Sequence, residues 1–414
     1  MPMKNLILIL SLLCAQNLYA TVDLSQAYQQ ALKREPIIRA QLQVQRSKSQ
    51  YSQIKGAALP QISLKGEYSK LDDSGVTSST FNSDPRALSL ELKQTLFSGF
   101  QEFDQLKKSQ KNIEGQETEL KRTEAELFND LVKSYLDVLY YLEELKLKEE
   151  IQKLSNDRVQ FLQKRVDIGR SRRSELISAQ ALLASTKSEL EEVRIQLASA
   201  REQFSFLTGY DDKVDLKKME YHFKLPPIQA YLSKVADAPV VKKGKILNEQ
   251  AHQDIKIARS GHYPTVDLKG NYYLDRNGSS KESDWVVSLS LTMPLFESGK
   301  TSSNVSQSVE AAQISEVDYR YQEQQLQRDV RILYSSIQLY EEQVQSFDQS
   351  VELNRKNYQV QLKEYGLGLV SNLDVLQALT QYTQSRSRLN KLQTDMTKNY
   401  YRLLTMLGGT LELN

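Results

Sequence analysis

The chain has 414 residues, and its 54 Lys and Arg nearly balance its 52 Asp and Glu, for a formal net charge of +2. That balance excludes a protein held to nucleic acid by a basic excess. With 9 Pro and 16 Gly over the whole length, long uninterrupted elements follow.

The first element is a leader. Lys4, the apolar run Leu6 to Leu13 and the small residue Ala20 give residues 1–20 the form of a secretory signal peptide cleaved after Ala20, with an apolar run too short to span a bilayer. The sole cysteine, Cys14, lies inside it. A lipoprotein reading of Cys14 is weaker, because the preceding residue is the bulky Leu13. After Ala20 no window of 18 apolar residues occurs, so any entry into a membrane must use β-strands.

The rest of the chain is written twice. Leu59 to Tyr68 reads LPQISLKGEY and Tyr263 to Tyr272 reads YPTVDLKGNY; LSLELKQTLFSG from Leu88 is matched by VSLSLTMPLFESG from Val287. IGRSRRSELISAQALL from Ile168 pairs with LGLVSNLDVLQALTQY from Leu367, and the copies end alike in FSFLTG and LLTMLGG. The offset stays near about 200 residues, too long for a solenoid of short units. The reading is a first repeat over 21–209, a linker over 210–227 and a second repeat over 228–414.

Each repeat opens with a helix and continues into two segments of strict apolar–polar alternation, a hairpin over about 61–97 and another over about 264–296. Ile62, Leu64 and Tyr68 oppose Gln61, Ser63, Lys65 and Glu67. Leu88, Leu90 and Leu92 oppose Ser89, Glu91 and Lys93. Val266, Leu268 and Tyr272 oppose Asp267, Lys269 and Asn271; Trp285 to Met293 alternates likewise. Period two over about ten residues suits a tilted bilayer-spanning strand with one lipid face and one wet face. The wet face, with Lys65, Glu67, Glu91, Lys93, Asp267 and Lys269, is mixed in sign, so these strands need not select strongly by charge. The connections Asp72 to Pro85 and Asp275 to Asp284 are rich in Ser, Gly, Asn and Asp, as exposed loops are.

A long helix follows each hairpin, over about 99–168 and 299–365, and a return helix completes each repeat, over about 170–207 and 369–407. Leu106, Ile113, Leu120 and Leu127 recur every seven residues, as do Leu176, Leu183, Leu190, Leu197 and Phe204. From Leu326 to Val351 the apolar spacing alternates four and three. Sustained heptads supercoil against neighbouring helices, and each proline-free long helix measures about 100 Å at 1.5 Å per residue. Gly169 and Gly368 break the heptads at matching places, where a helix ends and the chain reverses. The fold class is therefore mainly α with a small β part, a duplicated unit of coiled-coil helices and hairpins. Four strands are too few to close a membrane barrel, whose minimum is about eight, so several copies must share one.

These residues resemble the TolC-type outer-membrane efflux channel family across essentially the whole mature chain. The resemblance rests on the duplication, on Leu96-Phe97-Ser98-Gly99 and Pro294-Leu295-Phe296 closing the hairpins, and on Tyr365-Gly366-Leu367-Gly368 followed by Asp374-Val375-Leu376-Gln377-Ala378. It implies a homotrimer in outer-membrane lipid, three chains supplying four strands each to one barrel above a hollow helical cylinder that crosses the periplasm. It implies a passive duct that takes substrates from a periplasmic adapter and an inner-membrane pump, without catalysis or cofactor.

It also implies an acidic ring at the periplasmic entrance, with Asp374 as a ring member; the next acidic position of the pattern is Gln377 here, and a family arginine falls at Val370. One aspartate per chain, repeated by symmetry, makes a cation-attracting constriction. Asp374 is equally placed to be a helix-start residue compensating the dipole. The first turn departs from the family with Arg170, Arg172 and Arg173 just after Gly169, either a solvated basic turn or a contact for the adapter's hairpin or for Asp374 of a neighbouring chain. The tip glycines are Gly169, Gly366 and Gly368. Tyr68, Tyr272 and Trp285 are candidates for aromatic girdles at the membrane boundary, or for ordinary strand packing.

The competing reading is a secreted, soluble coiled-coil scaffold without a pore. A catalytic reading has no support: no Gly-x-Ser-x-Gly elbow or phosphate loop is present, and His222, His252 and His262 stand too far apart for His-based metal motifs.

Overall fold

A computed structural model describes residues 21–68, 86–219, 223–276 and 283–410; the leader with Cys14 and Ala20, the whole first hairpin loop with Asp72 to Pro85, residues 277–282 of the second and His222 lie outside them. In the first repeat α1 (Leu24–Ala31) and α2 (Glu35–Ala57) lead into β1 (Gln61–Tyr68) and β2 (Arg86–Ser98), then α3 (Gln101–Asp167) and α4 (Arg173–Thr208). In the second, α5 (Ile228–Leu232), a 3-10 turn (Val235–Asp237) and α6 (Pro239–Ser260) precede β3 (Thr265–Arg276) and β4 (Trp285–Thr292), then α7 (Lys300–Gly366) and α8 (Asn372–Met406). The chain folds as two units, one from Met1–Ile38, Arg122–Ala238 and Gln325–Asn414, the other from Arg39–Lys121 and Pro239–Gln324.

Local chemistry sets the element ends. Asp23 caps α1 in a reciprocal pair with Gln26, each side chain bonding the other's backbone N–H. Gly169 and Gly368 take φ of +69° and +78°, which lets the chain leave each long helix in the left-handed region that other residues avoid. β4 stops at Thr292, two residues before Pro294, because proline offers no N–H to a ladder. The matching β2 runs on to Ser98, so the two hairpins end differently despite their shared Leu-Phe. The return helices begin at Arg173 and Asn372, after turns that hold Arg170 to Arg172 and Leu369 to Ser371.

In one unit the four strands form a single antiparallel sheet in the order β1-β2-β3-β4. The same unit carries the first part of α3 against α6, where Lys108 meets Asp254 at 2.6 Å, Lys111 meets Glu249 at 2.8 Å and Lys243 meets Glu119 at 2.7 Å. Leu106, Ile113 and Leu120 are half-buried there.

In the other unit the heptad residues go inward: Leu176, Leu190, Leu197 and Phe204 of α4 are buried, as are Leu326, Val330, Leu333 and Ile337 of α7. Around Phe128 and Tyr135 of α3 an aromatic core gathers Tyr28, Phe204 and Tyr401, with ring centroids 4.9–6.0 Å apart. The Tyr135 hydroxyl reaches two carbonyls, Val22 at 3.0 Å and Lys217 at 2.6 Å, where Val22 and Leu216 form a short parallel bridge. A second core, beside the two helix turns, includes Leu147, Leu162, Leu176, Tyr358, Val375 and Leu379.

Candidate functional site

Two places gather the residues that the sequence singles out. The first is the sheet. Its register puts Ile62, Leu92, Gly270 and Val287 in one row, and Leu64, Leu90, Tyr272 and Trp285 in the next. Pairs in register share a face, so the apolar side is continuous across all four strands. It is also bare: Ile62 is 74% exposed and Leu289 67%. The opposite face carries Gln61, Lys93, Lys269 and Ser288 in one row and Thr95, Asp267 and Ser290 in another, with Thr95 Oγ1 donating to Asp267 Oδ1 at 2.7 Å. The outer edges of β1 and β4 have no strand partner among the described residues. Tyr272 and Trp285 are direct cross-strand partners, and Tyr68 closes β1 opposite Arg86; all three aromatics are exposed.

The second place is the pair of helix turns, which side chains from both repeats tie together. Tyr365 Oη, one residue from the end of α7, donates to Glu175 Oε2 on α4 at 3.0 Å. Ser171 Oγ also donates to the Glu175 carboxylate and lies 3.1 Å from Tyr365 Oη, so two hydroxyls converge on one carboxylate. Asn372, the first residue of α8, donates from Nδ2 to the Glu175 backbone carbonyl at 3.2 Å, and its Oδ1 accepts from Arg158 Nε at 2.8 Å. The Arg158 guanidinium also lies over the Tyr365 ring, 3.9 Å from its centroid, and Arg165, two turns further along α3, is 5.2 Å from the same ring. Such cation–ring contacts strengthen as water leaves, and Arg158 is buried.

The electrostatics follow from these contacts. Burial pushes the Glu175 carboxyl up, but the bonds from Ser171 and Tyr365 and the nearby Arg158 charge outweigh it and hold the group below the ordinary glutamate value. Burial draws the Arg158 guanidinium down, opposed by Tyr365, Tyr358 and Glu175; arginine stays cationic throughout.

Asp374 takes part in a different structure. Its carboxylate accepts from the Ser371 N–H at 2.8 Å and from Ser371 Oγ at 2.6 Å, while its own N–H donates back to Ser371 Oγ at 3.4 Å. This is a capping box, and the bonds from Ser371 lower the Asp374 pKa. Asp374 is therefore a helix-start residue, partly exposed, and Gln377 lies exposed about one turn further on. Arg170, Arg172 and Arg173 are exposed, and Arg172 occupies the N-cap of α4 without a side-chain cap bond. Gly169, Gly366 and Gly368 each have open space where a side chain would begin.

The tip motif of the sequence contains Tyr365, but nothing in the sequence brings it together with Glu175, Arg158, Ser171 and Asn372. Arg158 stands in a helix crowded with charges, where no pattern separates a buried arginine from a solvated one.

Comparison with known proteins agrees with this geometry. The sequence profile of the outer membrane efflux protein family matches residues 27–210 and again residues 235–409, one match to each repeat. The chain belongs to the outer membrane efflux protein family. It is 22% identical to the outer membrane efflux protein BepC of Brucella suis over 86% of this chain and 78% of that one. To the outer membrane protein TolC of Escherichia coli it is 23% identical over 98% and 87%. Among solved structures, the fold matches that of CusC with a TM-score of 0.85 at 21% identity, covering 94% of this chain and 93% of the other. The pore-free soluble scaffold is thereby set aside.

Proposed function

We propose that this protein is the passive exit duct of an efflux or type I secretion assembly, set in the outer membrane with a long periplasmic extension. The observation that carries the reading is the sheet: a continuous, bare apolar face on four strands whose outer edges lack partners. Among the described residues no helix is long and apolar enough to cross a membrane, and lipid tolerates no open sheet edge. Pairing β1 of one copy with β4 of the next satisfies both edges, and three copies give a barrel above the minimum size.

The duct performs no chemistry of its own and holds no cofactor. A periplasmic adapter and an inner-membrane pump supply cargo and energy. The helix turns form the periplasmic entrance, where the Glu175–Tyr365 contact ties the two repeats of one chain and Asp374 and Gln377 line the opening. Arg170, Arg172 and Arg173, beside Gly169 and near Gly366 and Gly368, present a basic surface to the adapter. Tyr68, Tyr272 and Trp285 seat the outer end of the sheet at the lipid boundary, as aromatics do in membrane barrels.

Planar-bilayer recording of the detergent-purified protein tests the duct. Discrete, cation-preferring conductance steps are expected, and Asp374→Ala should reduce the cation preference. Steps unaltered by that substitution remove Asp374 from the constriction; a protein that stays soluble without detergent and never inserts refutes the duct. Replacing Arg170, Arg172 and Arg173 together by Ala should weaken co-purification with the adapter while leaving insertion intact.

A further inference from the structure

The cavity beside the chain's first described residue is unbalanced in charge. Its volume is about 580 Å³, and Thr21 borders it together with Glu143 and Glu144 of α3, Asp215 of the linker and Arg386 of α8. The backbone holds Thr21 there. The Val22 N–H donates to the Asp215 carbonyl at 2.8 Å and the Lys217 N–H donates to the Val22 carbonyl at 3.0 Å, one on each side of the Val22–Leu216 bridge.

The cations of the wall are already engaged. Lys218 and Lys146 approach the Glu143 carboxylate at 2.8 and 3.4 Å, and Arg386 meets Glu150 at 2.6 Å. Glu144, only 4% exposed, accepts from two neutral groups, Ser387 Oγ and Asn390 Nδ2, each at 2.8 Å. The Asp215 carboxylate has no ion-pair partner among the described residues. With Glu150 included, four carboxylates face three cations. A carboxylate withdrawn from water without an opposite charge is unfavourable, so the cavity is one positive charge short.

We infer that Asp215 and Glu144 form a binding site for the α-ammonium created at Thr21 when the leader is removed, so that processing completes the packing of the chain's start against α3 and α8. The site is independent of the duct reading and rests on cleavage after Ala20. While the leader is attached, the Thr21 nitrogen is a peptide N–H, uncharged and able to donate one bond. After cleavage it carries a full charge and three donors, at a residue that the Val22 bridge keeps beside Asp215. Removal of the leader thereby supplies the missing charge, and a chain still joined to its leader retains the deficit.

The test uses the exported, detergent-purified protein. Its intact mass fixes the first residue, and a chain that begins anywhere but Thr21 overturns the inference. Labelling of the terminus by an amine-selective reagent as a function of pH, read on the N-terminal peptide by mass spectrometry, gives the pKa of the α-amine. Nearby carboxylates favour the charged form, so the value should lie well above the ordinary α-amino range of about 8 and fall back toward it in the double variant Asp215→Asn/Glu144→Gln. Glu143, Lys146, Lys218 and Arg386 face the same cavity and are common to both proteins, so the difference reports the two carboxylates. In a second arm, Gly-Ser inserted between Ala20 and Thr21 keeps a terminal ammonium but moves it about 7 Å along the chain. The insertion should lower the oligomer melting temperature by a few degrees in the wild-type background and by almost nothing in the double variant, because terminus and carboxylates act as one unit. An ordinary α-amine pKa, or an insertion whose effect adds in full to that of the double variant, overturns the inference and leaves the duct untouched. If the double variant does not fold, Asp215→Asn alone carries both arms.

Discussion

Tyr365 and Glu175, 190 positions apart, meet at 3.0 Å, hydroxyl to carboxylate. The bond joins the end of the second repeat's long helix to the start of the first repeat's return helix. Because its acceptor is a carboxylate, the strength of the bond depends on the ionisation of one glutamate.

The sign of that dependence follows from the pKa. Glu175 is held below its ordinary value of 4.5, so its ionised form favours the joined turns above that pH, and the contribution is lost as pH falls through the lowered value. Acidifying the solution on the turn side to below 4.5 should open the wild-type channel. Glu175→Gln should conduct more at neutral pH and lose the acid response; an unchanged acid response in that variant would assign the effect to another group.

Tyr135→Phe tests the anchoring of the chain's first described residues. The substitution removes the hydroxyl shared by the Val22 and Lys217 carbonyls in a side chain that is buried. The Val22 carbonyl keeps the Lys217 N–H at 3.0 Å, so the loss is that of the hydroxyl's own hydrogen bonding, roughly 0.5–1.5 kcal/mol. A lower melting temperature and faster proteolysis near Val22 are expected, and a variant as protease-resistant as wild type would show that the bridge to Leu216 holds alone.

Two glycines of like backbone but unlike surroundings should differ sharply. At Gly99, φ is +66° and an added Cβ would lie 2.8 Å from both the Ser260 carbonyl oxygen and Tyr263 Cβ; at Gly169, φ is +69° and the space is open. Gly169→Ala therefore bears only the left-handed backbone cost, about 1–2 kcal/mol. Gly99→Ala adds a clash with backbone and should lower oligomer yield far more. Equal losses would mean that the junction between β2 and α3 yields easily.

The sheet predicts a face-dependent response to charge. Leu289 stands on the apolar face, in register with Leu268, and Ser288 on the polar face, in register with Lys269. Leu289→Arg should cost about 2–4 kcal/mol if it lies near mid-bilayer and impair insertion into lipid vesicles, while Ser288→Arg should insert normally. The reverse order would exchange the two faces.

Much of this architecture was legible because it is periodic. Alternation of Ile62, Leu64 and Leu88 to Leu92 announces strands, and heptads such as Leu176 to Phe204 announce packed helices, since burial imposes those repeats on the sequence. What escaped is set by single contacts. Pro294 ends β4 early although the Leu-Phe pair that follows copies the first hairpin. Asp374 reads alike as a pore residue and as a cap, and only the bonds to Ser371 show the cap. Arg158 is one cation among many on α3, and its burial depends on Tyr365 and Asn372, more than 200 positions further on.

The equal lengths of α3 and α7, 67 residues each, constrain how such a chain can change over time. Inserting one residue into either helix would swing every later side chain by about 100° and advance it by about 1.5 Å, turning its inward stripe outward. Tolerated changes of length in these helices should therefore come in sevens and in both copies together, while single-residue drift is confined to the hairpin loops and the linker. The duplication is thus a matched pair of rulers, and altering one alone spoils the measure.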